Sequence, residues 1–361
     1  MVPGGGRVMR TTIEDVAREA GVSIATVSRY INGPPGVVAV GTAAKLRAVV
    51  DRLGYVPNPA ARTLRTGRSR LIGVILSNIA HPYWSTVLSG VEEACQRRGY
   101  SVIVSSAGDS AEVENRYLGV FLDQRVDGIL LNPANADPAT VARWATLSCP
   151  VITLDRTLPG LPFGLVAMDN ELGARLAVEH LVELGHRRIG FLSWHVANLS
   201  NRLERLRGYQ DSLEAAGLAT DPGLTRFAAD GWSDGVQQTL DLLHQAERPT
   251  AIVSAASTLN LQVLAGVKQA GLRVPAEISV VGYDESPWDS LLDPPLTTVA
   301  TPAHQLGVRA ADRLCAVIEG ENEPGGETRL RPHLIVRQST TPPRLLATAS
   351  GGRSGRSVSV R

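Results

Sequence analysis

Thr12–Gly33, TIEDVAREAGVSIATVSRYING, is the stretch from which this chain is best read. Thr12 is placed to cap a first helix, with Asp15 three residues on as the reciprocal partner of a capping box. Val16, Ala17 and Ala20 supply an apolar stripe. Gly21 can take positive φ and turn the chain sharply. Ser23 is then a good N-cap for a second helix, Ile24–Ile31. Ala17, Val22, Val27 and Ile31 bury one face, and the other carries Ser23, Ile24, Ala25, Ser28 and Arg29. This is the layout of a helix-turn-helix whose second helix enters a DNA major groove. Spacing alone also allows a plain helical hairpin capping a larger domain.

The charge distribution separates the two readings. The whole chain of 361 residues carries only +1. Arg10–Arg70, however, holds ten Lys/Arg against four Asp/Glu, while residues 71–361 sum to −6. A basic head on an acidic body is the asymmetry of a DNA-binding module attached to a different machine. A third helix is expected at about Thr42–Leu53, ended by Gly54. Tyr55–Arg70 then opens with two prolines and carries Arg62, Arg65, Arg68 and Arg70. It reads either as a solvated linker or as a hinge that orders on DNA, with Leu64 as an apolar wedge in the minor groove.

From Leu71 the pattern changes to apolar runs alternating with amphipathic segments. LIGVIL, SVIVSS, VDGILL and VITLD form one set, and RIGFLSW, TRFAAD, TAIVSA and ISVVGYD a second. Such runs between helices argue for parallel sheets covered on both faces. The fold class is therefore α/β: a three-helix headpiece, a linker or hinge with room for a short helix at Ala60–Leu64, and a two-lobed core of parallel sheets. Ligands of open α/β sheets sit beyond the carboxyl ends of the strands. The residues there are His81–Trp84, Ser106–Asp109, Asp155–Arg156, Ser193–His195, Ala256–Ser257 and Tyr283–Asp284. The expected boundaries are 10–57 for the headpiece, 58–69 for the hinge and 70–343 for the core. Within the core, about 70–169 and 301–326 form the N-lobe, and about 170–300 and 327–341 the C-lobe. A Ser/Gly/Arg-rich tail, 344–361, reads as disordered.

Cys95, Cys149 and Cys315 lie too far apart in sequence for a CxxC metal motif or a disulfide framework, and read as buried thiols. The histidines show no metal-ligand spacing. Neither a metal nor a cofactor is expected. No apolar run reaches the roughly 18 residues of a membrane span, and MVPGGGRVMR has no signal-peptide apolar region. A cytoplasmic, nucleoid-associated setting is expected.

These motifs resemble the LacI family of bacterial transcriptional regulators, whose core is periplasmic-binding-protein-like. The resemblance covers about Thr12–Thr341. It includes the opening stretch, LGYVPNPAARTLRTG, GVILSNIAHPYW, QRVDGILL, LDRTLPG, MDNELGARLAVEHLVELGHRRIGFL, RLRGY, ISVVGYDES and PPLTTV. It implies a hinge helix between headpiece and core, and a homodimer on near-palindromic double-stranded operator DNA. It also implies repression as the usual mode, and a small effector between the lobes, most often a sugar or a nucleobase. Residue by residue, Ile24, Ala25 and Arg29 match base-reading positions. Thr12, Ser23, Thr26, Ser28 and Asn32 fall at or beside phosphate-contacting positions. Leu64 matches the wedging leucine and Arg65 its basic neighbour. Tyr83, Trp84, Asp155, Arg205, Trp232 and Asp284 match the effector pocket, and Ser257 occupies a pocket-edge position whose residue departs from the family.

Three departures matter. Ala256-Ser257 stands where the family usually has Asn-Asp, which favours a less hydroxylated or anionic effector, or none. Ala39 stands where a capping Ser is frequent, so the third helix lacks a cap worth about 0.5–2 kcal/mol. The tail has no leucine heptads, which favours a dimer over a tetramer. Two rivals come from other classes. Gly231-Trp-Ser233-Asp-Gly235 matches a nucleophile elbow, with Asp284 and His304 following in hydrolase order. The core alone also fits a transport-type sugar-binding protein.

Overall fold

The computed structural model describes residues 11–344 except 35, 57–66, 80, 136, 148, 197–198, 230 and 324. The hinge residues Leu64 and Arg65 and nearly all of the tail therefore lie outside the described residues. The chain divides into two units, 1–69 and 70–361.

Among its described residues the first unit has three helices, α1 (Ile13–Ala20), α2 (Ile24–Asn32) and α3 (Val40–Leu53). The capping box forms as the sequence predicts: Thr12 Oγ1 accepts from Asp15 N, and Asp15 Oδ2 accepts from Thr12 N. Gly21 takes the left-handed conformation at φ 61°, and Ser23 caps α2 by accepting from Thr26 N. Val16, Ala17, Ala20, Val27, Leu46 and Val49 close the core. At roughly 1.5–3 kcal/mol for each large apolar side chain, this small cluster has little reserve. The expected absence of a side-chain cap on α3 is observed: Ala39 makes no side-chain hydrogen bond to it.

The second unit carries two six-stranded sheets. The N-lobe begins β1 (Leu71–Leu76), α4 (Pro82–Arg97), β2 (Ser101–Ser106), α5 (Ala111–Asp123), β3 (Gly128–Leu131), α6 (Pro138–Trp144), β4 (Val151–Leu154) and β5 (Gly164–Met168). The C-lobe follows as α7 (Asn170–Glu183), β6 (Ile189–Trp194), α8 (Ser200–Ala215), β7 (Thr225–Ala228), α9 (Trp232–Leu243), β8 (Ala251–Ser254), α10 (Ser257–Gln269), β9 (Ser279–Tyr283) and β10 (Thr297–Ala300). The chain then returns through α11 (Ala303–Glu319), β11 (Glu327–Leu330) and β12 (His333–Ile335).

Strand order in the N-lobe is β11-β5-β4-β3-β1-β2, all parallel. In the C-lobe it is β12-β10-β9-β8-β6-β7, parallel except for the edge strand β12. Each sheet is packed on both faces. Ile72, Val74 and Leu76 face α4 and α11, whereas Ile75 faces the Phe121 side. This two-sided burial is why the strands read as continuous apolar runs rather than alternating ones.

One lobe boundary differs from expectation. Glu327–Leu330 pairs with Leu165–Met168, so it belongs to the N-lobe sheet, and the last crossing falls after Leu330 rather than at 326. Its ETRL sequence is half exposed at a sheet edge and has no apolar run to announce it. The helix Pro138–Trp144 and the strand Gly164–Met168, whose GLVAM run is apolar and buried throughout, were not anticipated either. Cys95 and Cys315 are free, fully buried thiols facing each other between α4 and α11, and Cys149 is partly buried.

Two C-lobe histidines hold the last segment. His186 Nε2 donates to the Thr341 carbonyl at 2.9 Å, so Nδ1 accepts from Thr250 Oγ1 at 2.8 Å. His180 Nε2 contacts Thr340 Oγ1 at 2.9 Å. Burial pushes both imidazoles below their ordinary value of 6.5. The unfolded chain therefore takes up protons first as pH falls. The stability these groups contribute is complete above pH 6.5 and declines below it. Melting temperature should fall as pH drops from about 6.5 towards about 5, with a shallower slope in His186→Asn. A flat wild-type profile would refute this.

Candidate ligand cleft and nucleic-acid interface

A cavity of about 450 Å³ lies between the lobes, at the carboxyl ends of both sheets. Tyr83 and Trp84, in the first turn of α4, form one wall, their rings edge-to-face at 5.0 Å. Pro82 at the first helical position sets that turn. Trp194, at the end of β6, lines the opposite lobe and donates from Nε1 to Thr258 Oγ1 at 2.9 Å.

Three aspartates follow strands or strand-end loops in the left-handed region: Asp109 at φ 55°, Asp155 at φ 60° and Asp284 at φ 56°. Each lines the cavity. Backbone strain of this kind costs about 1–3 kcal/mol per residue and clusters at ligand sites. Arg205 of α8 is held from several sides. Its Nε donates to Asn170 Oδ1 at 2.8 Å, and Nη1 donates to the Ala255 carbonyl at 2.7 Å. The guanidinium stacks 4.2 Å above the Tyr283 ring, and Nη1 lies 3.8 Å from Asp284 Oδ2. Burial raises the Asp284 carboxyl above its ordinary value, and Arg205 partly opposes that.

The lobes are tied across the cleft. Asn201 Nδ2 donates to Asp155 Oδ2 at 2.6 Å, and Ser200 Oγ accepts from Thr157 N at 3.0 Å. Asp109 takes Arg156 on one oxygen at 2.6 Å and Arg202 on the other at 3.3 Å. Near the crossover, Arg329 of β11 makes a two-pronged ion pair with Glu204 of α8 at 2.6 and 2.9 Å. Three buried atoms on cleft-lining residues have no hydrogen-bond partner: Asp155 Oδ1, Asp284 Oδ1 and the Nε of Arg156. Buried polar atoms are rarely left so.

Of the predicted pocket residues, Tyr83, Trp84, Asp155, Arg205, Ser257 and Asp284 all line this one cavity. Trp232 does not. It opens α9 at 56% exposure, and the lining indole of the C-lobe is that of Trp194. Asn201 and Arg202 were missed, because neither stands at a strand end. The hydrolase constellation is not brought together. Asp284 faces Arg205, His304 lies 3.2 Å from Glu93 in the N-lobe, and Ser233 does not line the cleft.

In the headpiece, Ser23, Ile24, Ala25, Arg29 and Asn32 are exposed on α2, while Val27 is buried beneath them. Thr26 and Ser28 are half-buried. Ser23 and Thr26 share a hydroxyl–hydroxyl bond of 2.9 Å, which leaves one of the two protons for an external acceptor. Thr12 is more committed, because its hydroxyl donates to Asp15 Oδ2 at 2.8 Å. Its capping role competes with any phosphate contact.

Known proteins carry the same two parts. Residues 12–58 match the profile described as bacterial regulatory proteins, lacI family, and residues 178–340 match a periplasmic binding protein-like domain. The HTH-type transcriptional regulator PtxS of Pseudomonas putida is 33% identical over 335 residues, covering 92% of this chain and 97% of that protein. The HTH-type transcriptional repressor PurR of Photobacterium profundum is 33% identical over 333 residues, covering 91% and 98%. The lac repressor dimer bound to operator and the anti-inducer ONPF superposes with a TM-score of 0.82 at 32% identity, covering 92% of this chain and all of that one. A complex of the transcriptional regulator CelR with cellobiose superposes at 0.70 and 31% identity, covering 91% and 100%.

Proposed function

The chain belongs to the lacI family of bacterial regulatory proteins, and from that premise we propose that it is a homodimeric repressor whose operator affinity is set by a sugar in the cleft. The observation that carries the effector half is the pair of orphaned oxygens, Asp155 Oδ1 and Asp284 Oδ1. Carboxylate acceptors beside a fixed guanidinium, with aromatic walls, suit the hydroxyls and apolar face of a pyranose or furanose. Trp84 and Tyr83 supply the ring contact, and Ser257 a further hydroxyl. The protein acts by binding rather than by catalysis.

On DNA, Arg29 is the one charged base reader, able to make a bidentate contact to guanine. Ile24 and Ala25 offer only apolar contact, for example to a thymine methyl. Ser23, Thr26, Ser28 and Asn32 position the helix on phosphates, with Thr12 at the helix start. Leu64 and Arg65 complete the reading in the minor groove, where DNA deformability adds specificity. Two heads on one dimer read an inverted repeat. Ligand and operator affinities then couple reciprocally, typically by about 1–3 kcal/mol. The setting is the bacterial cytoplasm, and among the described residues no helix is long and apolar enough to cross a membrane.

The test is selection of operator sequences from a random pool, with and without added sugars. Arg29→Ala should relax the consensus at one position in each half-site and cost about 1–3 kcal/mol there. An unchanged consensus would remove Arg29 from base reading. Loss of all specific selection by the wild type would overturn the function.

A further inference from the structure

The cleft has two poles of opposite charge. One is Asp155 and Asp284 with Arg205. The other is Arg156 and Arg202, which reach from opposite lobes to a single carboxylate, Asp109. Two guanidiniums on one carboxylate leave an excess positive charge at this end of a cavity that is neutral overall. Arg156 is 5% exposed, and its Nη1 is spent on Asp109 and on the Pro133 carbonyl at 2.9 Å. Its Nε–H is buried with no acceptor. Arg202 gives Nη1 to the His195 carbonyl at 2.7 Å and holds Asp109 only at 3.3 Å. Burial, with Arg156 close by, pulls the Arg202 guanidinium down to about 10. His81 lines the same pole, kept below its ordinary value by burial despite Asp109. A sugar hydroxyl can accept the idle N–H but brings no charge. A carboxylate or phosphate does both, and guanidinium edges match such groups in two-pronged geometry.

We propose that the cleft is built for an anionic sugar, a monosaccharide bearing a carboxylate or phosphate, whose acidic group binds Arg156 and Arg202 while its hydroxyls reach Asp155 and Asp284. Asp109 is the internal counter-ion that this group displaces. It holds the two cations, and with them the two lobes, until the ligand arrives. This rests on the reading of the cleft as a sugar site and specifies its chemistry.

Calorimetric titration of the full chain tests it. The probes are D-glucose, D-gluconate, D-glucuronate and D-glucose 6-phosphate, with the matching galactose and ribose series and inorganic phosphate alone. In at least one series an anionic member should bind about tenfold or more tightly than its neutral parent, equivalent to about 1.4 kcal/mol. The carboxylate and phosphate arms show which anion is preferred. Arg202→Gln should collapse that anion-to-neutral ratio towards one, while Arg202→Lys retains much of it. Asp109→Asn should tighten the anionic member about threefold or more, since the competing carboxylate is gone. Thermal melts of each variant separate lost binding from lost folding. A neutral sugar binding as well as, or better than, its acids in every series would overturn the inference and leave the sugar cleft standing. So would a ratio unmoved in folded Arg202→Gln. No binding by any sugar, charged or neutral, would overturn the sugar reading itself.

Discussion

Arg205→Met is expected to abolish the ligand response and to lower the stability of the core by about 3–5 kcal/mol. The guanidinium is buried, and it is the charge facing Asp284, which is itself buried. Removing it leaves Asp284 without its counter-charge, and the Ala255 carbonyl and Asn170 Oδ1 without their donor. An uncompensated buried carboxylate costs far more than the modest net value of a typical hydrogen bond, which is about 1 kcal/mol. Methionine fills similar volume, so the effect is electrostatic rather than a cavity. Denaturant unfolding of the purified protein measures it. The double variant Arg205→Met/Asp284→Asn should recover about 0.5–3 kcal/mol, because the stranded charge is then gone. A single variant as stable as wild type, or a double variant no better than the single, would show that the pair is not held as described.

Gly307→Ala is the second large expectation, with a loss of about 3 kcal/mol. On helix propensity alone alanine should stabilise α11 by up to about 1 kcal/mol, so the two arguments differ in sign. Contact geometry decides. A Cβ at 307 would stand 2.0 Å from the Val87 carbonyl oxygen. Reciprocally, a Cβ at Gly90 would stand 2.1 Å from the His304 carbonyl oxygen. Both obstacles are backbone, so α4 and α11 would have to move apart, opening a core that includes Val87, Val91, Leu306 and Ala310. The first turn of α4 carries Tyr83 and Trp84 to the cleft, and ligand affinity should fall with stability. A melting temperature equal to or above wild type would refute the close crossing.

The headpiece was legible almost residue by residue because its signals are local. Thr12, Asp15, Gly21 and Ser23 each act within three residues, and α2 ends one residue beyond expectation. The two sheets were legible as apolar runs. What periodicity blurred were helix starts at the cleft. α4 begins at Pro82 rather than near Thr86, α8 at Ser200 rather than Leu203, and α9 at Trp232 rather than Gly235. In α4 and α8 those first turns present ligand-facing groups, Tyr83, Trp84, Asn201 and Arg202, instead of a regular apolar stripe. A pattern that reports burial passes over them. The half-exposed edge strand β11 was hidden for the same reason.

By itself the sequence determined a basic helix-turn-helix head, two parallel-sheet lobes, and a set of strand-end residues from which a cleft is made. Capping, turn geometry and continuous apolar runs are short-range properties written in neighbouring residues. Only the tertiary structure decided which groups meet. Asp155 meets Asn201 across 46 residues, and Asp109 meets Arg202 across 93. Trp194 lines the wall and Trp232 does not. Pairing across a cleft depends on how two lobes are set against each other. That arrangement is a sum of many packing and electrostatic terms with no local signature, and here it leaves two arginines sharing one aspartate.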